Sequence, residues 1–203
     1  MKIICIGRNY TEHAKEMASP VPDKPIFFFK PDTALLRNNQ PFFYPFFSND
    51  VHHEVEVVIK INRLGRNIAE KFAHRYYSEI GLGIDFTARD LQQECKQKGL
   101  PWEISKAFDG AAPISNFISI KNLGDVNSID FWLDKNDRTV QRGNTSQMIF
   151  SINRLIAYLS QFVTLKIGDL IYTGTPSGVG PIKVGDRLKA YMNDNLMLDF
   201  FIR

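Results

Sequence analysis

The sequence predicts an α+β domain in which β-structure dominates. Short β-branched and aromatic runs bounded by Pro, Gly, Asn and Asp recur from end to end. Met148 to Phe162 alone carries a clear, long apolar period of the helical kind. The segment after it is again rich in strands and tight turns. At 203 residues, with 44% hydrophobic and 23% charged side chains, the chain suits one domain, residues 1–203, with a sizeable core.

In chain order, residues 2–6 read as a buried strand that ends at Gly7. Thr11 to Met17 reads as a short helix stopped by Ser19-Pro20, and Pro22 and Pro25 stiffen its exit. Ile26 to Lys30 is a strand, followed by turns at Pro31-Asp32-Thr33 and Asn38 to Pro41. The aromatic stretch Phe42 to Phe47 suits core or subunit contact. His52 to Ile59 is a strand, Asn62 to Asn67 a turn, and Ala69 to Tyr77 a short polar helix. Ile80 to Ile84 leads to Asp85, where a strand ends and a helix is about to begin. Thr87 and Asp90 have capping-box spacing, and Gly99 with Pro101 ends that helix. A hairpin is expected across Asp134 to Asp137. In the Met148–Phe162 helix, Ile152, Leu155, Ile156, Leu159 and Phe162 form the core face. Lys166 to Asp169 and Lys183 to Asp186 are look-alike turns, each leading into a strand, and a last hairpin closes over Asn193 to Asn195.

The balance of 25 basic and 22 acidic residues, a net charge of +3, gives no broad basic field for nucleic acid. No apolar run reaches membrane or signal-peptide length. Cys5 and Cys95 lack metal-type spacing, which points to reduced thiols in a cytoplasmic protein.

Chemistry concentrates on His52-His53-Glu54-Val55-Glu56. In a strand, His52, Glu54 and Glu56 share one face, with the two carboxylates about 7 Å apart. A closed-off acidic face needs a cation, because like charges about 4 Å apart cost on the order of 4 kcal/mol at an effective dielectric near 20. A solvated acidic face is the commoner use of such a pattern, and spacing alone leaves both open. His13 and Glu16 stand at i and i+3, either as a surface ion pair or as a histidine oriented for proton transfer. Lys106 lies among apolar neighbours, and base rates favour a surface lysine there. The loop Thr173 to Gly180 can present N–H groups to an anion, but it lacks the ending of a nucleotide-phosphate loop. Gly81 and Gly83 lack the third glycine of a dinucleotide motif.

Taken together, Gly7-Arg8-Asn9-Tyr10, His52-His53-Glu54-Val55-Glu56, Asp85-Phe86-Thr87-Ala88-Arg89-Asp90, Lys98-Gly99-Leu100-Pro101-Trp102, Thr145 to Phe150 and Thr173-Gly174-Thr175-Pro176 resemble the fumarylacetoacetate hydrolase family. The likeness is to its short acylpyruvate hydrolase and oxaloacetate decarboxylase branch. It implies a mixed β-sandwich roll with few short helices, and a homodimer. It further implies Mg²⁺, with Mn²⁺ or Ca²⁺ as substitutes, on Glu54, Glu56 and Asp85. Lys106 is then a charge-balancing, substrate-touching residue, and His13 with Glu16 is the catalytic pair, carried on a mobile segment of about residues 9–22. Arg89, Gln92 and Thr175 line the substrate pocket.

The implied substrate is a small anionic 2-oxo acid. The implied reaction is C–C bond hydrolysis of acylpyruvates, with oxaloacetate decarboxylation or 2-hydroxy-dienoate isomerisation as alternatives on the same site. Two further readings stay open: a non-catalytic binding domain with a solvated acidic face, and a zinc site using His52 with the two glutamates.

Overall fold

The computed structural model describes residues 1–17 and 20–203. The chain begins with strand β1 (Ile3–Gly7), helix α1 (Thr11–Glu16), β2 (Ile26–Lys30) and β3 (Leu35–Leu36). There follow β4 (Val51–His53), β5 (Val55–Ile61), β6 (Tyr77–Ile84) and β7 (Thr87–Ala88). Helices α2 (Arg89–Lys98) and α3 (Glu103–Lys106) come next, then β8 (Ala112–Pro113) and β9 (Ile118–Ser119). β10 (Asp130–Lys135) and β11 (Arg138–Asn144) precede α4 (Ile152–Phe162). β12 (Leu170–Tyr172), β13 (Gly180–Pro181), β14 (Arg187–Met192) and β15 (Asn195–Phe201) complete the chain. No helix among the described residues is long and apolar enough to cross a membrane.

Six strands form one sheet in the order β2-β1-β12-β5-β6-β9. It is mixed: β1 and β12 run parallel, and every other neighbour is antiparallel. The second sheet, β11-β10-β14-β15, is antiparallel throughout. Its strands β10, β14 and β15 contact β5 and β6. Val57, Leu82, Ile84, Phe131, Leu133, Ala190 and Leu198 are buried in the one core cluster. The mixed sandwich expected from the resemblance is therefore the observed architecture.

Turn chemistry explains much of the framework. Lys166–Asp169 and Lys183–Asp186 are built alike: the Asp Oδ2 accepts from the Lys N–H at 2.8 Å, and the Asp N–H donates to the Lys carbonyl at 3.0 Å. The third position of each turn is a glycine with φ of +87° or +96°. The expected hairpins turn on Asn136-Asp137 and Asn193-Asp194, all four at positive φ, a conformation that Asn and Asp tolerate best among non-glycine residues.

Four local expectations are corrected. The strand over 52–59 is broken at Glu54, so β4 pairs with β13 and β7 while β5 joins the large sheet. The capping box at Thr87 does not form: Thr87 lies in β7, Ala88 is the N-cap, and Asp90 accepts from Ser48 Oγ and the Asn49 N–H instead. The α4 helix starts at Ile152 rather than Met148, capped by Ser151 Oγ accepting from the Arg154 N–H. Finally, Phe162 is 54% exposed and outside the core face, although its ring meets Phe27 and Tyr158.

Of the aromatic stretch, Phe42 is buried against Phe86, with ring centroids 4.2 Å apart, while Phe43 and Phe46 are exposed. The segment expected over about 9–22 includes Ala18 and Ser19, which lie outside the described residues, as does the Ser19-Pro20 helix stop.

Candidate metal centre

Three acidic side chains from two strand ends meet in the core. The break at Glu54 turns the chain from the small sheet into the large one, and Asp85 follows the last residue of β6. The Asp85 N–H donates to the Glu54 carbonyl at 2.8 Å, which locks the two ends together. One carboxylate oxygen from each of Glu54, Glu56 and Asp85 lies within 4.8 Å of the other two. That is on the order of two metal–oxygen bonds, about 4 Å. All three residues are at most 5% exposed, so the solvated-face reading fails. His52 is not in the group: its Nε2 pairs with Asp50 Oδ1 at 2.9 Å.

Buried cations surround the acids. Lys106, 3% exposed, donates to Glu54 Oε2 at 2.9 Å, Asp85 Oδ2 at 2.8 Å and Thr87 Oγ1 at 2.6 Å. The base-rate expectation of a surface lysine is thus overturned, because α3 drives its last residue inward. Lys30 lies 2.7 Å from Asp85 Oδ1, an ion pair without hydrogen-bond alignment, and it donates to the carbonyls of Phe86 and Ala111. Arg89 donates through one terminal nitrogen to Glu54 Oε1 at 2.6 Å and through the other to Gln92 Oε1 at 2.7 Å.

The electrostatics divide the acids into unequal roles. Burial raises Glu54, but Lys106, Arg89 and His13 outweigh it and hold its carboxyl well below the ordinary range. Burial, then the charges of Asp85 and Glu54, push Glu56 well above that range, against the Gly174 N–H and Lys106. Glu56 is the group for which the protein supplies too little positive charge. An all-oxygen donor set, a carboxylate held high by its neighbours and an Asp85 Oδ1 with no aligned donor together fit a hard divalent cation.

The glycine-rich loop does present N–H groups to anions, and the anions are the protein's own. The Gly174 N–H donates to Glu56 Oε2 at 2.7 Å, and the Gly178 N–H to Glu16 Oε1 at 3.0 Å. Both glycines need their freedom: at φ of +101° and +95°, a Cβ would meet the Asn9 Cβ at 2.6 Å or the Val140 carbonyl oxygen at 2.3 Å. Glu16, so anchored, places Oε2 3.1 Å from His13 Nδ1, and His13 is buried.

A cavity of about 40 Å³ opens on the cluster, lined among others by Arg8, His13, Glu54, Glu56, Asp85 and Lys106. It has room for a small ion and a few solvent-sized groups. Arg89, Gln92 and Thr175 also line it, so eight of the nine site residues named from the sequence surround one space, and Glu16 stands behind His13.

Gln141 was not legible from the sequence. It is buried in β11 and saturates its amide: Oε1 accepts from His53 Nδ1 and the Val55 N–H, while Nε2 donates to Thr175 Oγ1 and the Pro176 carbonyl. It straps the break at Glu54 to the glycine-rich loop. Burial lowers His53 to about 4, so its ring is neutral and its Nδ1–H is the donor. Gln141→Ala is expected to lower stability by about 2–4 kcal/mol, because several buried partners lose their bonds together. Thermal denaturation would show a Tm drop of roughly 5–15 °C, and an unchanged Tm would refute the strap. Lys30 was also missed, although an ammonium closing the run Ile26-Phe27-Phe28-Phe29 was a usable signal.

The whole chain compares closely with known proteins. Residues 2–198 match the fumarylacetoacetate (FAA) hydrolase C-terminal family. The mouse protein named oxaloacetate tautomerase FAHD1, mitochondrial, is 42% identical over 201 residues, covering 99% of this chain and 91% of the relative. The oxaloacetate decarboxylase, mitochondrial, of Dictyostelium discoideum is 44% identical over 206 residues, covering 100% and 94%. The crystal structure of fumarylpyruvate hydrolase from Pseudomonas aeruginosa in complex with Mn²⁺ and pyruvate superposes with a TM-score of 0.94 at 34% identity, covering 100% of this chain and 89% of the other.

Proposed function

The chain belongs to the fumarylacetoacetate hydrolase family, and on that footing we propose that it is a divalent-metal enzyme that tautomerises or decarboxylates oxaloacetate-type 2-oxo acids. The observation that carries this is the buried convergence of Glu54, Glu56 and Asp85 on one cavity with Lys106, His13 and Arg89. The sequence put acylpyruvate hydrolysis first. The names of the two curated relatives weigh toward its alternative, oxaloacetate chemistry.

In this reading Glu54, Glu56 and Asp85 hold Mg²⁺ or Mn²⁺, the latter being the ion in the Pseudomonas structure. When bound, such an ion supplies Lewis acidity at the keto oxygen. Lys106, Arg89, Gln92 and Thr175 orient the 2-oxo acid end. His13 moves the proton. With Nδ1 turned to Glu16, Nε2 carries the free lone pair and takes the proton from the carbon beside the keto group. The C–H electron pair becomes the new C=C bond, the C=O π pair moves onto the keto oxygen, and the proton that His13 took from carbon is passed to that oxygen; return runs the same path in reverse. For decarboxylation the C–C electron pair takes the place of the C–H pair, the remote carboxylate leaves as CO₂, and the enolate carbon is then protonated by His13 in its protonated form.

Hydrolysis of an acylpyruvate is the second reading, because the same His13–Glu16 pair suits water activation. In this reading helix α1, which carries His13 and Glu16, closes over the site when substrate binds. The active form is a homodimer with exposed Phe43 and Phe46 as residues to test by sizing. Cytoplasmic placement rests on the two free thiols, Cys5 and Cys95, although both curated relatives are called mitochondrial.

The test is a substrate panel of enol-oxaloacetate, keto-oxaloacetate and acetylpyruvate, read with Mg²⁺ and with chelator. Metal-dependent loss of the enol absorbance is expected, and no turnover of either oxaloacetate form would refute the main reading. His13→Ala is expected to cut turnover about 10²–10⁴-fold with little change in KM. A rate within threefold of wild type would remove His13 from the mechanism.

A further inference from the structure

Phe28 and Trp102 line the cavity of about 40 Å³ that holds the acids. Both also line a second space, an apolar groove of about 250 Å³ bounded by Ile26, Phe27, Leu100 and Pro101. Among the described residues no other side chain lines both spaces. Two aromatic rings therefore stand between a small charged cavity and a larger apolar one.

Local chemistry puts both rings there. In β2, Phe28 and Lys30 alternate onto one face, so the burial of Lys30 against Asp85 aims Phe28 at the site. Its ring centroid lies 5.1 Å from Lys106 Nζ, the geometry of an ammonium over an aromatic face. Lys106 is itself held by Glu54, Asp85 and Thr87, so Phe28 cannot turn away without giving up that contact. Trp102 is fixed at the start of α3, where its carbonyl accepts from the Ser105 N–H at 2.9 Å and from Ser105 Oγ at 2.7 Å. Its ring meets Phe28 edge to face, with centroids 5.9 Å apart and planes at 64°.

The chemistry on either side says what such a wall does. A short 2-oxo acid stays within the cavity, whereas the apolar tail of a longer one has to leave it. The carboxylates and their cations offer a tail nothing, because their buried bonds would have to be broken to let it pass. Of the apolar lining, Ile6 belongs to the packed core. Phe28 and Trp102 are instead half-buried, with open apolar space behind them. The favourable route for a tail runs through the two rings, and the rings close it.

We propose that Phe28 and Trp102 form the specificity-determining wall of this site, admitting short 2-oxo acids and keeping longer apolar tails out of a groove that would otherwise accept them. This rests on the 2-oxo acid reading above and adds chain length as the property selected.

Calorimetric titration of the Mg²⁺-loaded full chain with 2-oxobutyrate and with 2-oxo-octanoate tests the wall, since the two acids differ only in the methylenes of the tail. Wild type is expected to bind the shorter acid at least about tenfold more tightly. Trp102→Ala is expected to reverse that order, the longer acid gaining up to about fourfold for each methylene that the groove buries. Trp102→Leu keeps more of the apolar packing and is expected to shrink the wild-type ratio to below about threefold. Leu100→Ala changes the groove without touching the cavity, and is expected to keep the wild-type ratio. Leu100→Asp added to Trp102→Ala puts a charge where the tail would lie, and is expected to cancel the longer acid's gain.

Equal wild-type affinity for the two acids, a wild-type ratio in both Trp102 variants, or a gain that survives Leu100→Asp would each overturn the wall. Any of these with the shorter acid bound leaves the 2-oxo acid reading standing and removes the wall alone. If wild-type protein holds Mg²⁺ but takes neither acid, the 2-oxo acid reading falls and the wall with it.

Discussion

Asp85→Ala is expected to abolish turnover, weaken Mn²⁺ binding more than about 100-fold and lower stability by about 3–5 kcal/mol. The size follows from how many groups lean on one carboxylate. Asp85 Oδ2 accepts from Lys106, and Oδ1 pairs with Lys30, whose side chain is fully buried. Removing the acid leaves the Lys30 ammonium without an ion pair in the core and Lys106 with Glu54 as its one remaining carboxylate, and a buried charge without its partner is among the costliest single lesions. A Tm drop of roughly 6–20 °C follows for a domain of this size.

Asp85→Asn separates the two consequences. It keeps an acceptor for one lysine, so it should recover part of the stability while leaving Mn²⁺ affinity and turnover lost. Calorimetry with Mn²⁺ and thermal denaturation read the two quantities independently. Wild-type Mn²⁺ affinity in Asp85→Asn would refute the ligand assignment.

How much of this was legible depended on whether a group's partner lay nearby in sequence. The turns at Lys166–Asp169 and Asn193-Asp194 and the αL stop at Gly99 are local chemistry, and the sequence carried them. The core stripe of α4 was legible for the same reason, except for Phe162 at the helix end. Thr87 had the right spacing for a cap, but Asp85 and Lys106 competed for its hydroxyl and won. Lys106 defeated a composition prior, because a lysine's burial is decided by anions far from it in sequence. Gln141 is the extreme case. Its partners on β4, β5 and the glycine-rich loop are 34 to 88 residues away, and nothing in Arg138 to Asn144 marks it. The nine site residues came from resemblance added to residue chemistry. Spacing alone left Glu54 and Glu56 undecided between water and metal.

Glu56→Gln is expected to move stability and function in opposite directions. Glu56 is the acid that burial and its two carboxylate neighbours push upward. A carboxyl whose folded pKa exceeds its unfolded value contributes stability that is complete below the unfolded pKa. That contribution is lost as pH rises through the folded value. Glu54, held low mainly by Lys106 and Arg89 against its burial, has the opposite sign: its contribution is present above the unfolded pKa and lost as pH falls.

As pH rises through and above the ordinary carboxylate range with chelator present, Glu56 therefore makes the protein less stable. A divalent ion takes the place of the proton, so the Tm gained on adding Mg²⁺ should widen over the same range. Glutamine keeps an oxygen for the Gly174 N–H, and its amide can donate toward the neighbouring carboxylates. The variant should thus be more stable than wild type in chelator, by about 1–2 kcal/mol or roughly 2–8 °C, with a flatter pH profile. It should also lose the Mg²⁺-induced rise in Tm, and turnover with it. If Glu56→Gln melts below wild type in chelator, or still gains the wild-type increment from Mg²⁺, Glu56 is a structural acid and the ion does not sit on it.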